Sequence, residues 1–166
     1  MIRLKGLQYF LRALHELGDN REVVLVGDGP FAPELRKLAA ELDLNIQFTG
    51  WLKNGSSQLR DLYETSEIFV FPSEAENCPL VLLEAMAAGL PIITTHDRGC
   101  EGVVGDAAVL VPPRDAKAIA GAIKRLGDSE ALRRQFGDAG RRRVIENFGW
   151  ETLVRRYKAV YEEHAG

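Results

Sequence analysis

Residues 68–94 decide the fold: Ile68-Phe69-Val70-Phe71-Pro72-Ser73-Glu74-Ala75-Glu76-Asn77-Cys78-Pro79-Leu80-Val81-Leu82-Leu83-Glu84-Ala85-Met86-Ala87-Ala88-Gly89-Leu90-Pro91-Ile92-Ile93-Thr94. Four consecutive apolar residues, stopped by Pro72, read as a short strand buried on both faces. Pro79 suits the first position of a helix and Gly89 its end, so residues 80–88 read as helical. Pro91-Ile92-Ile93-Thr94 is a second short apolar strand. Strand, loop, helix and strand in this order are the unit of a parallel sheet.

The same alternation extends in both directions. Upstream, Val23-Val24-Leu25-Val26 ends in Gly27-Asp28-Gly29-Pro30, and Ile46-Gln47-Phe48-Thr49 is closed by Gly50. Downstream, Val109-Leu110-Val111 is stopped by Pro112-Pro113. Between them run helical stripes: Leu7, Phe10, Leu11, Leu14 and Leu17, then Leu35, Leu38, Ala39 and Leu42. A third stripe, Leu59, Leu62 and Tyr63, follows a capping serine at Ser56 or Ser57. Past residue 115 the tail is helical, with stripes through Ile119, Ile123 and Leu126, through Leu132, Phe136 and Ala139, and through Trp150, Leu153, Val154, Tyr157, Val160 and Tyr161. The first four strands start about every 22 residues, but no repeat consensus accompanies the spacing. The pattern predicts a Rossmann-like three-layer α/β/α domain with a mainly parallel sheet and C-terminal helices. One feature is irregular: the chain opens almost directly with a helix that would normally follow a strand. Either the sheet starts irregularly, or a strand upstream of Met1 has been removed.

The chain has 166 residues, of which 46% are hydrophobic and 27% charged, the balance of one globular domain with a real core. A formal net charge of −3 gives no support for a nucleic-acid partner. No run of about 18 apolar residues exists to span a membrane. The N-terminus lacks the apolar core of a signal peptide, and a cytoplasmic location is expected. Cys78 and Cys100 read as free thiols and are too few for a metal site without many other ligands.

In open α/β sheets ligands bind at the carboxyl ends of the strands. The richest such loop is residues 72–79, where Glu74 and Glu76 precede the helix that carries Glu84. A helix N-terminus suits phosphate. Carboxylates beside it would repel phosphate, so another task is needed, and accepting hydrogen bonds from sugar hydroxyls fits.

With these residues in place, the sequence resembles the C-terminal domain of retaining glycosyltransferases of the GT-B fold, family 4, the glycosyl transferases group 1. Glu76 and Glu84, separated by seven residues, match that family's Glu-x7-Glu motif. Further matches, in order, are Lys5-Gly6, Val26-Gly27-Asp28-Gly29-Pro30, Phe48-Thr49-Gly50, Phe71-Pro72-Ser73, Glu84-Ala85-Met86-Ala87-Ala88-Gly89-Leu90-Pro91, Glu101 in a Gly99-Cys100-Glu101 loop, Val111-Pro112-Pro113-Arg114-Asp115 and Phe148-Gly149-Trp150. The resemblance covers essentially all 166 residues.

The resemblance implies one half of a GT-B enzyme, 1–166 being the nucleotide-sugar donor-binding domain and the N-terminal acceptor domain absent. It implies catalytic roles for Glu76, toward donor-sugar hydroxyls, and Lys5, toward the diphosphate. The backbone amides of Asn77, Cys78 and Leu80 would lie near the sugar and the β-phosphate; Pro79 has no N–H to offer. Glu84 would hold ribose hydroxyls. Gly27 and Gly29 would let the backbone approach the nucleotide. Gly50, Trp51 and Lys53 would contact the base. No Asp-x-Asp pair occurs, so neither metal nor cofactor is expected, with a nucleotide diphosphate sugar as donor. Membrane association of a full-length enzyme is compatible with this, and the isolated domain is expected to be inactive. A nucleotide-sugar epimerase half and a non-catalytic nucleotide-sugar-binding module stay open as alternatives. Outside the motif, Glu74, His15, His96, His164 and Arg141-Arg142-Arg143 are expected to be solvated or structural, and the final helix stripe to join the core unless it crosses to another domain.

Overall fold

The computed structural model describes residues 1–18 and 21–164. A single 3-10 turn (Arg3–Lys5) leads into α1 (Leu7–Leu17), β1 (Val23–Val26), α2 (Ala32–Glu41), β2 (Ile46–Gly50), α3 (Ser57–Thr65), β3 (Phe69–Phe71), α4 (Leu80–Ala88), β4 (Ile92–Thr95), α5 (Arg98–Val104), β5 (Val109–Val111), α6 (Ala116–Gly127), α7 (Glu130–Phe148) and α8 (Trp150–His164). Every strand pairing is parallel, as the alternating order requires. Val23 stands opposite Ile46 in one ladder, and Phe69 opposite Ile92 and Thr95 opposite Val111 in the other.

The layers follow from the two-residue period of a strand. On β4, Ile93 joins the cluster of Leu11, Leu35, Ile119 and Leu126 beneath α1, α2 and α6. Its neighbour Ile92 points the other way, into the cluster of Leu82, Met86 and Val104 beneath α4 and α5. All four residues of β4 are buried. The sheet is thus covered on both faces, which is why its strands are apolar runs rather than alternating ones.

Three features depart from the sequence reading. The hydrogen-bonded strands form two sheets, β1-β2 and β3-β4-β5, instead of one. Residues 98–104 are helical, so Glu101 sits on α5 and not in a loop; Asp97 caps that helix, its carboxylate accepting from Gly99 and Cys100. The stripe of α8 does not join the core: Trp150 is 83% exposed, and Val154, Tyr157 and Tyr161 are exposed with it.

Helix α7 crosses α4 so closely that a Cβ on Gly137 would lie 2.2 Å from the carbonyl oxygen of Gly89. On α6, a Cβ on Gly121 would meet nothing within 4 Å. One substitution therefore has opposite signs at two helical glycines. Gly121→Ala should stabilise the chain by roughly 0.5–1 kcal/mol through helix propensity. Gly137→Ala should destabilise it by about 1–3 kcal/mol through overpacking. Urea denaturation of the two variants checks the contrast, and equal signs would contradict the α4–α7 crossing.

Candidate functional site

The site is built at the carboxyl end of β3, where three segments are tied together. The 3-10 turn closes at Gly6, whose φ of 68° places it against Pro72: a Cβ there would lie 1.9 Å from the Pro72 carbonyl oxygen. The Leu4 carbonyl accepts from the Glu74 N–H at 2.8 Å. These contacts hold Lys5 over the Glu76 loop. Lys5 Nζ donates to Glu76 Oε1 at 2.6 Å and lies 5.4 Å from the centre of the Phe71 ring. The Ser73 hydroxyl donates to the same Glu76 oxygen at 2.6 Å, and Ser73 is fully buried. Two residues 71 positions apart in sequence thus form one charge pair, with the Glu76 side chain only 13% exposed.

The second tie comes from β4. Asp97 Oδ2 accepts the Glu76 backbone N–H at 2.9 Å while it caps α5. Gly99 permits the approach, since a Cβ there would lie 2.1 Å from the Glu76 carbonyl oxygen. The Thr95 hydroxyl donates to the Ser73 carbonyl. From this anchored loop the chain passes through exposed Asn77 and Cys78 into α4. No side chain caps α4, so its first turn has no side-chain acceptor for its N–H groups. Leu80, its first residue, is 66% exposed.

Glu84 lies in the second turn of α4, exposed, and accepts a hydrogen bond from the Tyr63 hydroxyl of α3 at 2.9 Å. Burial, then the hydrogen bond and charge of Glu84, raise the Tyr63 phenol above its ordinary pKa. At the end of β1, the Gly27 N–H donates to the Gly50 carbonyl at 2.8 Å. Both glycines have positive φ, and a Cβ on either would meet nothing within 4 Å, so open space lies beside them. Trp51 is 78% exposed and Lys53 is exposed. The space beside Gly29 is different: Met1 backbone fills it, 2.0 Å from where a Cβ would sit.

Several residues expected at the surface have tasks. The Glu74 side chain is only 9% exposed and pairs with Arg114 at 2.6 Å. Arg143 donates to the Val103 and Gly102 carbonyls at the end of α5. His96 Nδ1 lies 2.8 Å from Glu101 Oε1, and His15 Nδ1 lies 3.1 Å from the Leu42 carbonyl. The side chain of His164 lies outside the described residues. Sequence reasoning missed Asp97, Ser73 and Tyr63 as supports of the site. No signal marked Asp97, because the helix it caps is too short to show a periodic stripe.

The arrangement offers a carboxylate and an ammonium side by side, an uncapped helix N-terminus next to them, and a second carboxylate further along the same helix. A polyhydroxylated anion matches that set: carboxylates accept from hydroxyls, while Nζ and N–H groups face negative oxygen. Among the described residues no group of three or more His, Cys, Asp or Glu is placed to hold a metal ion. A cavity of about 430 Å³, lined by Val23, Ile46 and Gln47 among others, lies at the amino ends of β1 and β2 and contains none of these groups.

Comparison with known proteins shows the family and the fold. Residues 1–143 match the family described as glycosyl transferases group 1. The MMP alpha-(1->4)-mannosyltransferase of Mycolicibacterium hassiacum is 33% identical over 169 residues, a match covering 98% of this chain and 41% of that protein. Sucrose-phosphate synthase of Thermosynechococcus elongatus superposes with a TM-score of 0.85 at 31% identity, covering 98% of this chain and 43% of that one. Anabaena HepE, solved in complex with UDP and glucose, gives 0.87 over 98% of this chain and 46% of its own; at 19% identity this likeness concerns the fold alone. The chain therefore spans about two-fifths of the length of the curated relatives it matches.

The Tyr63–Glu84 contact has a pH signature. With its pKa raised on folding, Tyr63 contributes stability that is fully present below the free-tyrosine value of about 10 and is lost as pH rises above it. Alkaline absorbance titration should show one late phenol that Tyr63→Phe removes. Glu84→Gln should shift it down only in part, because burial is the larger cause. A titration unchanged by Tyr63→Phe would contradict the contact. A further expectation concerns Asp97→Ala, which removes a helix cap and a loop anchor together and should destabilise the chain by about 1–3 kcal/mol in urea denaturation.

Proposed function

This chain belongs to the glycosyl transferases group 1 family, and we propose that it is the donor-binding domain of a retaining glycosyltransferase. That enzyme would move a hexosyl unit from a nucleotide diphosphate sugar to an acceptor hydroxyl. The observation that carries the reading is the Lys5–Glu76 pair at 2.6 Å, set directly before the uncapped N-terminus of α4. The HepE complex with UDP and glucose lends support at the level of a shared fold.

The chemistry assigns distinct roles. Bond breaking at the anomeric carbon leaves a pair of electrons, and so negative charge, on the departing diphosphate. Lys5 and the first N–H groups of α4 stabilise that charge where it develops. Glu76 accepts hydrogen bonds from the sugar hydroxyls, and Ser73 and Asp97 hold it in position. Glu84, steadied by Tyr63, accepts from the ribose hydroxyls. The open space beside Gly27 and Gly50 takes the nucleoside, with Trp51 and Lys53 near the base. Asn77, Cys78 and Leu80 line the sugar end. The departing diphosphate stays on the face from which it left and takes the acceptor proton, while the acceptor oxygen forms its bond to the anomeric carbon from that same face, which gives net retention.

Isothermal titration calorimetry against a panel of nucleoside diphosphates tests the reading. At least one should bind, and Lys5→Ala and Glu84→Ala should each weaken it by about tenfold or more. Silence from the whole panel counts against donor binding. On this reading the 166 residues form the donor side alone, so the chain should transfer no sugar by itself. Robust transfer, or isomerisation of the donor in the same assay, would defeat the assignment.

A further inference from the structure

Lys5 and Glu76 are partners of one another, and the reading above gives each a second task in the donor. Among the described residues Glu76 is the only hydrogen-bond acceptor of Lys5 Nζ, at 2.6 Å. The Glu76 carboxylate in turn takes both its donors, Lys5 Nζ and the Ser73 hydroxyl, on Oε1. The Ser73 hydroxyl also lies 3.2 Å from the Leu4 carbonyl, but it has one proton, and the 2.6 Å bond to a charged acceptor takes it. Oε2 of Glu76 accepts from none of the described residues. The other carboxylates near the pair are engaged elsewhere. Asp97 Oδ2 holds three backbone N–H groups, Glu74 pairs with Arg114, and Glu84 accepts from Tyr63. The charge of Lys5 is thus balanced by Glu76 and not by them.

The two members of the pair are held unequally. The Glu76 side chain is 13% exposed, its carboxylate bonded to buried Ser73 and its backbone N–H to Asp97. The Lys5 side chain is 38% exposed and ends a flexible four-carbon stem. Its other neighbour is the Phe71 ring, 5.4 Å from Nζ. Lys5 is therefore the member that can turn to another anion, while Glu76 stays where its loop is anchored. A diphosphate at the uncapped start of α4 is such an anion.

We propose that Glu76 competes with the diphosphate for Lys5, and that this competition makes the site prefer the donor over the nucleoside diphosphate left after transfer. The proposal rests on the donor-binding reading and adds a discriminating role to it. Any diphosphate that draws Lys5 away deprives Glu76 of its charged partner, which is unfavourable for a carboxylate so little exposed. The donor offsets that loss, because its sugar hydroxyls donate to the same carboxylate. A nucleoside diphosphate without its hexose has no such hydroxyl to offer, so Glu76 holds Lys5 back. By linkage the coupling is reciprocal. Lys5 engaged on the diphosphate frees Glu76 for the sugar, and Glu76 engaged on the sugar frees Lys5 for the diphosphate. Once the sugar has gone to an acceptor, Glu76 reclaims Lys5 and loosens the carrier.

Isothermal titration calorimetry on the 166-residue chain tests this with UDP, GDP and ADP, and with UDP-glucose, GDP-mannose and ADP-glucose. Glu76→Gln keeps the shape of the side chain and removes its charge. For the base that binds, it should tighten the free nucleoside diphosphate about tenfold and leave the hexose ester no tighter than in the unaltered chain. In a Lys5→Ala background the same substitution should bring no gain, because the cation competed for is gone. A nucleoside diphosphate that binds Glu76→Gln no tighter than the unaltered chain overturns the proposal and leaves the donor reading standing. So does a gain that survives Lys5→Ala, or an equal gain for the hexose ester. Silence of every probe with both proteins overturns the proposal and the donor reading together. Should Glu76→Gln not fold, carbon-13 NMR of the unaltered chain decides. The nucleoside diphosphate, which carries no hexose for Glu76, should still shift the Glu76 carboxylate carbon, and an unmoved resonance overturns the proposal.

Discussion

A single carboxylate oxygen, Asp97 Oδ2, accepts three backbone N–H groups, from Glu76, Gly99 and Cys100. Two of these belong to the start of α5 and one to the loop after β3, so the same atom ends β4 and holds the neighbouring loop against it. Hydrogen bonds to a charged acceptor are stronger than neutral ones, and an anion at a helix N-terminus is additionally favoured by the helix dipole. The Glu76 carboxylate is placed beneath Lys5 through this bond, and Gly99 is required because the Glu76 carbonyl occupies the space a side chain would need. The rest of the site hangs from that anchor: Ser73 and Lys5 converge on one oxygen of Glu76.

The location of the site follows from the sheet. Ligand crevices in open α/β sheets lie where the strand order reverses, outside the carboxyl ends. That point falls between β1 and β3, where residues 1–5 bridge Phe31 and Glu74. The same place is where ladder hydrogen bonding is interrupted. The candidate site thus lies beside the gap between the two ladders, and the apolar face of α8, with Trp150, Tyr157 and Tyr161 exposed, is a second surface that the described residues leave uncovered.

Much of the fold was legible because parallel strands buried on both faces are written as unbroken apolar runs. Val23-Val24-Leu25-Val26 and Ile92-Ile93 are of this kind, and each lies within an observed strand. Helix ends were legible where a special residue is needed, as with Gly89 in the left-handed conformation after α4 and Ser56 capping α3. Helix α5 was not. It has seven residues, two of them Gly99 and Gly102, and is too short to show a periodic stripe. It is held by the burial of Cys100, Val103 and Val104, by the Asp97 cap, and by Arg143, which reaches the end of α5 from 40 residues away.

The sequence by itself determined the order of strands and helices, α5 apart, and the parallel sense of the sheet, while Lys5, Glu76 and Glu84 became candidates through the family motif they match. Local chemistry suffices for the elements, since periodicity and capping are properties of neighbouring residues. Only the tertiary structure decided that Lys5 meets Glu76, that Tyr63 holds Glu84, and that Glu74 is buried against Arg114. It also decided that β1 and β3 do not pair with each other. Each of these is a contact, or a missing contact, between segments distant in the chain. Such relations depend on how the packed layers bring strand ends together, and no local pattern records that.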